Sequence, residues 1–217
     1  MTFHFGDLGK IDWSDKEAPP SNYLMFAKRG LDILLCVAAL ICLSPCLLLI
    51  AILIKLDSQG PVIFCQQRNG YGGRAFTIFK FRTMTNQLEV GFKQCEANDR
   101  RVTRLGKFLR KTSIDELPQL FNILLGDMSV VGPRPHPLEL DRQYSVIIYN
   151  YMRRYSTKPG LTGWAQVLGR RGATPTVEIM AERLAADLAY VRRVSFLFDL
   201  LIILKTIPVI LAWRKVH

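Results

Sequence analysis

The sequence is poor in the residues that build metal centres and disulfide scaffolds. It holds five cysteines and three histidines in 217 residues. No two cysteines form a C-x-x-C pair, and no histidine stands near them at zinc spacing. That excludes a thiolate zinc finger and a thioredoxin-like redox pair. Cys36, Cys42 and Cys46 sit in one apolar run, while Cys65 and Cys95 are isolated. They read as small apolar filler in a reducing compartment. Acidic residues are also scarce, 18 against 29 basic ones, for a net charge of +11. A balance this basic calls for a polyanionic partner: nucleic acid, anionic lipid or a phosphorylated substrate. The blander reading is solubility alone, but many of the basic residues cluster beside Gly and Pro turns. No repeat or low-complexity tract appears, and 49% hydrophobic with 22% charged residues excludes global disorder.

Charge is nearly missing from one stretch. From Leu31 to Leu56 only Asp32 and Lys55 are charged, one near each end. Roughly 20 apolar residues suffice to cross a bilayer. The run starts too late and is too long for a signal peptide. Ser44-Pro45 falls in its middle, where proline removes a donor and predicts a kink. The serine hydroxyl is placed to satisfy a freed carbonyl. Both flanks are basic, Lys28-Arg29 before and Lys55 after, which draws both ends to the cytoplasmic side. The expectation is a re-entrant helix that bends at Ser44-Pro45 and leaves by the face it entered; a kinked spanning helix is the alternative. Residues 1–22 form a polar lead-in, 23–58 the membrane helix, and 59–217 a cytoplasmic domain.

The fold class expected is α+β, predominantly helical. Val62–Gln66 and Ala75–Lys80 flank Asn69-Gly70-Tyr71-Gly72-Gly73 and read as a small β-hairpin. Residues 85–101 read as a polar surface loop. Helices are expected at Thr103–Lys111, from about Pro118 to Leu125, and over Leu138–Tyr155. Another is expected from an N-cap at Thr174-Pro175 to about Arg193. Phe196–Trp213, broken by Asp199 and Lys205, reads as an amphipathic interfacial helix.

The most informative chemistry is an acidic pair, Asp115-Glu116, among cations. Ser113-Ile-Asp-Glu116 also fits a capping box, which needs no catalysis. Pro118 disfavours helix at Leu117 and so places the pair ahead of a helix N-terminus. A carboxylate there is expected to have a depressed pKa, able to ligate Mg2+ or attack phosphorus. Arg104, Lys107 and Lys111 share one helix face, either a solvated surface or a phosphate contact. Lys80, Arg82, Arg110 and Arg134 add cations, and Pro133 and Pro135 fix the backbone around Arg134. His136 reads as a structural residue in a tight turn, a general acid or a sugar contact.

Six segments in order carry a resemblance. They are the Ser44-Pro45 helix, Lys80-Phe-Arg82-Thr-Met84, Leu109–Gln119, Gly126-Asp-Met-Ser129, Val131-Gly-Pro-Arg134-Pro135, and Pro159-Gly-Leu-Thr-Gly-Trp164-Ala-Gln166. Together, over about residues 23–210, the chain resembles the bacterial sugar transferases, the monotopic phosphoglycosyl transferases, in their minimal form. The resemblance implies transfer of a hexose 1-phosphate from a UDP-sugar to polyprenyl phosphate, releasing UMP. This would be the first membrane step of exopolysaccharide, capsule, O-antigen or glycan assembly, on the cytoplasmic face of a bacterial inner membrane. It makes Asp115 the nucleophile of a covalent phosphosugar intermediate, with Glu116 assisting. Mg2+ is the expected cofactor, held at Asp115 and Glu116. Lys80, Arg82, Arg110, Pro133, Arg134, Pro135 and Arg170 are the expected substrate contacts, UDP-glucose or UDP-galactose the leading donors. Anionic lipids are expected partners, nucleic acid is not, and a homodimer is compatible with the apolar helices. Leu168 departs from the polar residue common at that place. Two other readings stay open on the residues alone: a membrane-anchored module that binds anionic lipid or nucleic acid, and a phosphatase using the same aspartate with water as acceptor.

Overall fold

The computed structural model describes residues 22–85 and 99–211. Most of the expected 85–101 loop and the end of the Phe196–Trp213 segment lie outside them. Among the described residues the chain is predominantly helical with two small two-stranded sheets.

Helix α1 (Asn22–Asp57) has 36 residues. Its stretch Met25–Asp57, in which 18 consecutive residues reach a mean hydropathy of 2.9, is long and apolar enough to cross a membrane. It runs through Pro45 without an interruption in its helical assignment. Proline at 45 has no N–H for the carbonyl of Ile41, and the Ser44 hydroxyl donates to that same carbonyl at 3.0 Å. The expected rescue by serine is therefore present. One face of α1 packs on the domain. Cys36, Ala39 and Leu40 meet Ile78, Leu120, Ile123 and Met128, and Ile50 and Ile54 meet Phe81 and Leu109. The other face, including Leu34, Ile41, Leu48 and Leu56, is exposed and apolar.

Polar ties fasten α1 at both ends. Near its start, Lys28 donates to the Val131 carbonyl (2.8 Å) and pairs with Asp199 (2.5 Å). Arg29 donates to the carbonyls of Ile123 and Leu124. The Asp32 carboxylate accepts from Val130 N and Ser129 Oγ. At its end the Arg82 guanidinium donates to the carbonyls of Ile54 and Ser58. The Ile54 carbonyl, which also accepts from Ser58 N, lies in the last turn of α1, so a buried cation there also suits the helix dipole.

The hairpin is β1 (Ile63–Asn69) and β2 (Ala75–Phe81), antiparallel, with Phe64 opposite Lys80. It turns through Gly72 and Gly73, both at positive φ. Helix α2 (Arg104–Thr112) follows, its N-cap made by Thr103 accepting from Gly106 N. A 3-10 turn, Ile114–Glu116, leads into α3 (Gln119–Leu125). Leu117 is helical (φ −57, ψ −34) despite the proline after it, because the turn hydrogen bonds Glu116 N to Ser113 O and Leu117 N to Ile114 O override the local bias.

A parallel pair was not expected from the sequence: β3 (Ser129–Val131) beside β4 (Gly160–Thr162). The strands meet so closely that a Cβ on Gly160 would lie 2.1 Å from Gly132 N. The segment read as one helix over Leu138–Tyr155 is two elements, α4 (Leu138–Ile147) and a 3-10 turn, Tyr151–Ser156, broken where Asn150 adopts φ 61. After the short α5 (Trp164–Val167), α6 (Val177–Arg192) is capped by Thr176, not by Thr174-Pro175. Helix α7 (Phe196–Leu211) closes the domain against Val131 and Tyr190 through Ile202.

Candidate active site

The acidic pair sits on the 3-10 turn between α2 and α3, with both side chains buried. Ser113 ends α2 in the left-handed region (φ 62), an uncommon choice for a residue with a side chain. Its side chain caps no helix, so the capping box foreseen at Ser113 and Glu116 is not formed. Instead Ser113 Oγ accepts from Arg171 (2.5 Å). The strained residue thus aims the turn, as such residues do at functional sites.

Glu116 is the electrostatic centre. Arg134 grips it with both terminal nitrogens (Nη2–Oε1 2.5 Å, Nη1–Oε2 3.1 Å). Lys80 Nζ donates to Oε1 at 2.9 Å, and Arg171 Nη2 to Oε2 at 3.1 Å. Burial works to raise its pKa, but Arg134, Lys80 and Arg171 overwhelm this, leaving Glu116 well below the ordinary range and ionised.

Asp115 is the opposite case. It accepts no hydrogen bond from the described residues. Burial, then the neighbouring Glu116 charge, pushes its pKa up to about 6. This corrects the expectation of a depressed pKa. The helix after the pair is short and begins only at Gln119, and desolvation beside a second carboxylate dominates. At neutral pH the group is still ionised, and its basicity is greater than that of an ordinary aspartate, which favours a nucleophile.

The frame around the pair is tightly built. Asn122, fully buried on α3, accepts from Phe79 N (2.9 Å) and donates to the Thr77 carbonyl (2.7 Å). It staples α3 to β2 and so sets Lys80 beside Glu116. The Pro133-Arg134-Pro135 turn is held at three consecutive carbonyls. That of Pro133 accepts from Gly160 N, that of Arg134 from Arg154 Nη2 (2.7 Å), and that of Pro135 from Arg68 Nη1 (3.1 Å). Beneath it lies a buried network. Arg154 pairs with Asp187 at 2.6 Å, and Tyr151 and Tyr155 donate to Asp141. His136 belongs to this network, with Nδ1 at 2.6 Å from the Tyr151 hydroxyl. Burial and the Arg154 and Arg183 charges hold it well below its usual pKa, hence neutral.

The sequence-predicted residues are thus not all in one place. Lys80, Arg134, Asp115 and Glu116 converge. Arg110 turns inward, its Nε on Thr83 Oγ1 (2.8 Å), with its charge felt at Asp115. Arg104, Lys107 and Lys111 of the same helix lie on its exposed face. Arg82 serves the end of α1. Arg170 pairs with Glu182 at 3.3 Å, and its neighbour Arg171 reaches Glu116. The residues missed were Arg171, Ser113, Asn122 and Arg154. Arg171 carried a signal, as half of an Arg-Arg pair in a Gly-rich loop, and Ser113 lay within the Leu109–Gln119 segment.

Four cations around two carboxylates leave a surplus of positive charge, suited to a diphosphate. For a metal, no group of three or more His, Cys, Asp or Glu gathers among the described residues. The donor set fits Mg2+ in a limited way: Asp115 is free to ligate, and Mg2+ is commonly held by one or two carboxylates plus substrate phosphates. Both Glu116 oxygens already face cations.

A buried acidic pair among arginines, on a domain fastened to a long apolar helix, defines a membrane-associated protein equipped for phosphate groups. The bacterial sugar transferase family model matches residues 23–213, so the chain belongs to that family. It is similar to a UDP-glucose:undecaprenyl-phosphate glucose-1-phosphate transferase of Xanthomonas campestris pv. campestris, 47% identical over 90% of this chain and 41% of the relative. An Aeromonas hydrophila UDP-N-acetylgalactosamine-undecaprenyl-phosphate N-acetylgalactosaminephosphotransferase is 45% identical, over 88% of this chain and 45% of its own length. An exopolysaccharide production protein of Rhizobium leguminosarum bv. phaseoli is 45% identical over 83% of this chain and 92% of its own length. The chain thus spans about two fifths of the first of these and nearly all of the last.

Proposed function

We propose that this protein transfers a sugar 1-phosphate from a UDP-sugar to undecaprenyl phosphate, on the cytoplasmic face of a bacterial membrane, as an initiating step of polysaccharide assembly. The observation that carries this reading is the contrast within the acidic pair: Glu116 is clamped by three cations while Asp115 is buried, basic and without a hydrogen bond from the described residues. The relatives named above supply the donor and acceptor classes.

In the first step an Asp115 carboxylate oxygen attacks the phosphorus that carries the sugar. The bond from that phosphorus to the bridging oxygen breaks, and UMP leaves with the electron pair. In the second, a phosphate oxygen of the acceptor attacks the aspartyl phosphosugar, and the Asp115 carboxylate is returned. No net proton is required. Lys80, Arg134 and Arg171 position the diphosphate and offset its charge, and Arg110 faces Asp115. Mg2+, when bound at Asp115 and the phosphates, would supply further charge neutralisation. The raised pKa keeps Asp115 nucleophilic, and its burial limits attack by water.

The membrane arrangement proposed is monotopic. Polar ties at Lys28, Arg29 and Asp32 and again at Ile54 and Ser58 lead to the same domain. Thirty residues of straight helix cover about 45 Å, more than a hydrocarbon core of roughly 30 Å. An anchor with both ends on one domain is therefore better read as lying in one leaflet than as a span.

The test is UMP release from a panel of UDP-sugars by nanodisc-embedded protein, with Mg2+, with and without undecaprenyl phosphate. Sustained release that needs the lipid, and its loss in Asp115→Asn with folding intact, are the results expected. Sustained release without lipid would indicate water as acceptor, and an active Asp115→Asn enzyme would end the nucleophile assignment.

A further inference from the structure

Between its two contacts with the domain, α1 bridges a groove of about 510 Å3. The helix contributes Leu40, Leu47, Leu48 and Ala51; Ile63, Phe81, Pro118 and Phe121 are on the facing side. Ser44 overlooks it, but its hydroxyl is committed to the Ile41 carbonyl. The lining is otherwise hydrocarbon and aromatic. Its wall includes Pro118, two residues beyond Glu116 and three beyond Asp115, so these two lie within about 7 and 11 Å of it along the backbone.

We propose that this groove receives the isoprenoid tail of the acceptor, an inference that rests on the transferase reading above. An apolar groove whose wall includes Phe81, next in the chain to Lys80, and Pro118, on the turn that carries the acidic pair, fits one kind of molecule: a phosphate head on a long, branched hydrocarbon. The phosphate lies toward Lys80, Arg110 and Arg171, and the chain lies under Ser44-Pro45 along α1. The exposed face of α1, with Ile41, Leu48 and Ile52, gives the tail a continuous apolar route from the bilayer. Ordinary diacyl lipid is the competing occupant. Its headgroup phosphate is already esterified on two sides and cannot act as the attacking group, so its occupancy would only block transfer.

The experiment separates the two half-reactions. Exchange of labelled UMP into the UDP-sugar needs no acceptor and reports Asp115 chemistry alone, whereas product formation needs the tail. Ala51→Trp and Leu48→Trp each narrow the groove. The expected result is a KM for undecaprenyl phosphate raised about tenfold or more, the scale of a misfit in an apolar pocket, with exchange unchanged. The rise should disappear for an acceptor phosphate bearing a single short prenyl unit. An unchanged KM, or an equal rise with the short acceptor, overturns the proposal. Should a variant lose exchange through misfolding, photolabelling of the unmodified protein with a benzophenone-tailed polyprenyl phosphate decides. Label in residues 40–51 or 118–121, competed by undecaprenyl phosphate but not by phosphatidylglycerol, supports it. Label elsewhere, or competition by both, refutes it. Absence of exchange in the unmodified protein would count against the transferase reading itself.

Discussion

Asp187→Asn should be far more damaging than its distance in sequence from the acidic pair suggests. The Asp187 carboxylate lies 2.6 Å from Arg154 Nη2, and both side chains are about 1% exposed. Arg154 also donates to the Arg134 carbonyl and contacts the rings of Tyr151 and Tyr155 at 5.5 and 5.3 Å. The amide keeps the shape and removes the charge, leaving a buried guanidinium whose next carboxylate, Asp141, is 4.0 Å away. Breaking such a pair costs about 3–5 kcal/mol. For a chain of this size each kcal/mol moves the midpoint by about 2–4 °C, so a fall on the order of 10 °C is expected. Thermal unfolding in nanodiscs, followed by near-UV circular dichroism, measures it. A cycle with Arg154→Met and the double variant should show a coupling of about 0.5–3 kcal/mol. A midpoint for Asp187→Asn within about 2 °C of the unmodified protein would refute the assignment of a dry, mutually dependent pair.

Four further outcomes are expected. The Asp115 carboxyl should titrate near pH 6 in metal-free protein by carbon NMR, against about 3.9 in an unfolded chain. Because the folded pKa is raised, its contribution to stability is present below the unfolded value and lost as pH rises through 6, and the ionised nucleophile is about tenfold scarcer at pH 5 than on the plateau; a midpoint near 4 would contradict the burial argument. Arg171→Ala should lower UMP release about ten- to a hundredfold, the loss of one charge-assisted contact, with Arg170→Ala near unmodified; equal effects would dissolve the distinction. Gly160→Ala should unfold or strongly destabilise the domain, since its Cβ would lie 2.1 Å from a backbone nitrogen, and an unchanged thermal midpoint would count against that packing. In a cysteine-free background, Phe26→Cys and Leu56→Cys, both sites 78% exposed, should label from the same side of sealed vesicles; labelling from opposite sides would establish a span.

Local signals were the legible part of this chain. The hairpin, the α2 limits and the apolar run are written in short-range pattern, and the structure carries each. The Pro-Arg-Pro turn declared a fixed arginine because proline restricts its own backbone and its neighbour's. What the sequence hid was long-range pairing. The β3–β4 pair is two three-residue strands about thirty residues apart, too short for alternation to show. Arg171 and Arg170 are indistinguishable until the loop is folded. Arg82 sits in a motif that looks like a phosphate grip, and its hydrogen bonds go to helix ends instead. The Asp115 pKa was misjudged because helix position is a local property and desolvation is a global one.

The Lys28–Asp199 pair ties the first described helix to the last across 171 residues of chain. Synthesis at about 5–20 residues per second separates their emergence by roughly 10–35 s. Through that interval α1 is present while the carboxylate that neutralises Lys28 does not yet exist, and the β3 groups that Asp32 binds, 97 and 98 residues on, are missing for the first part of it. Lys28 and Asp32 must therefore wait hydrated. Arrival of α7 then dehydrates Lys28 and locks the helix, so the hold on the start of α1 is completed only by an element 171 residues away.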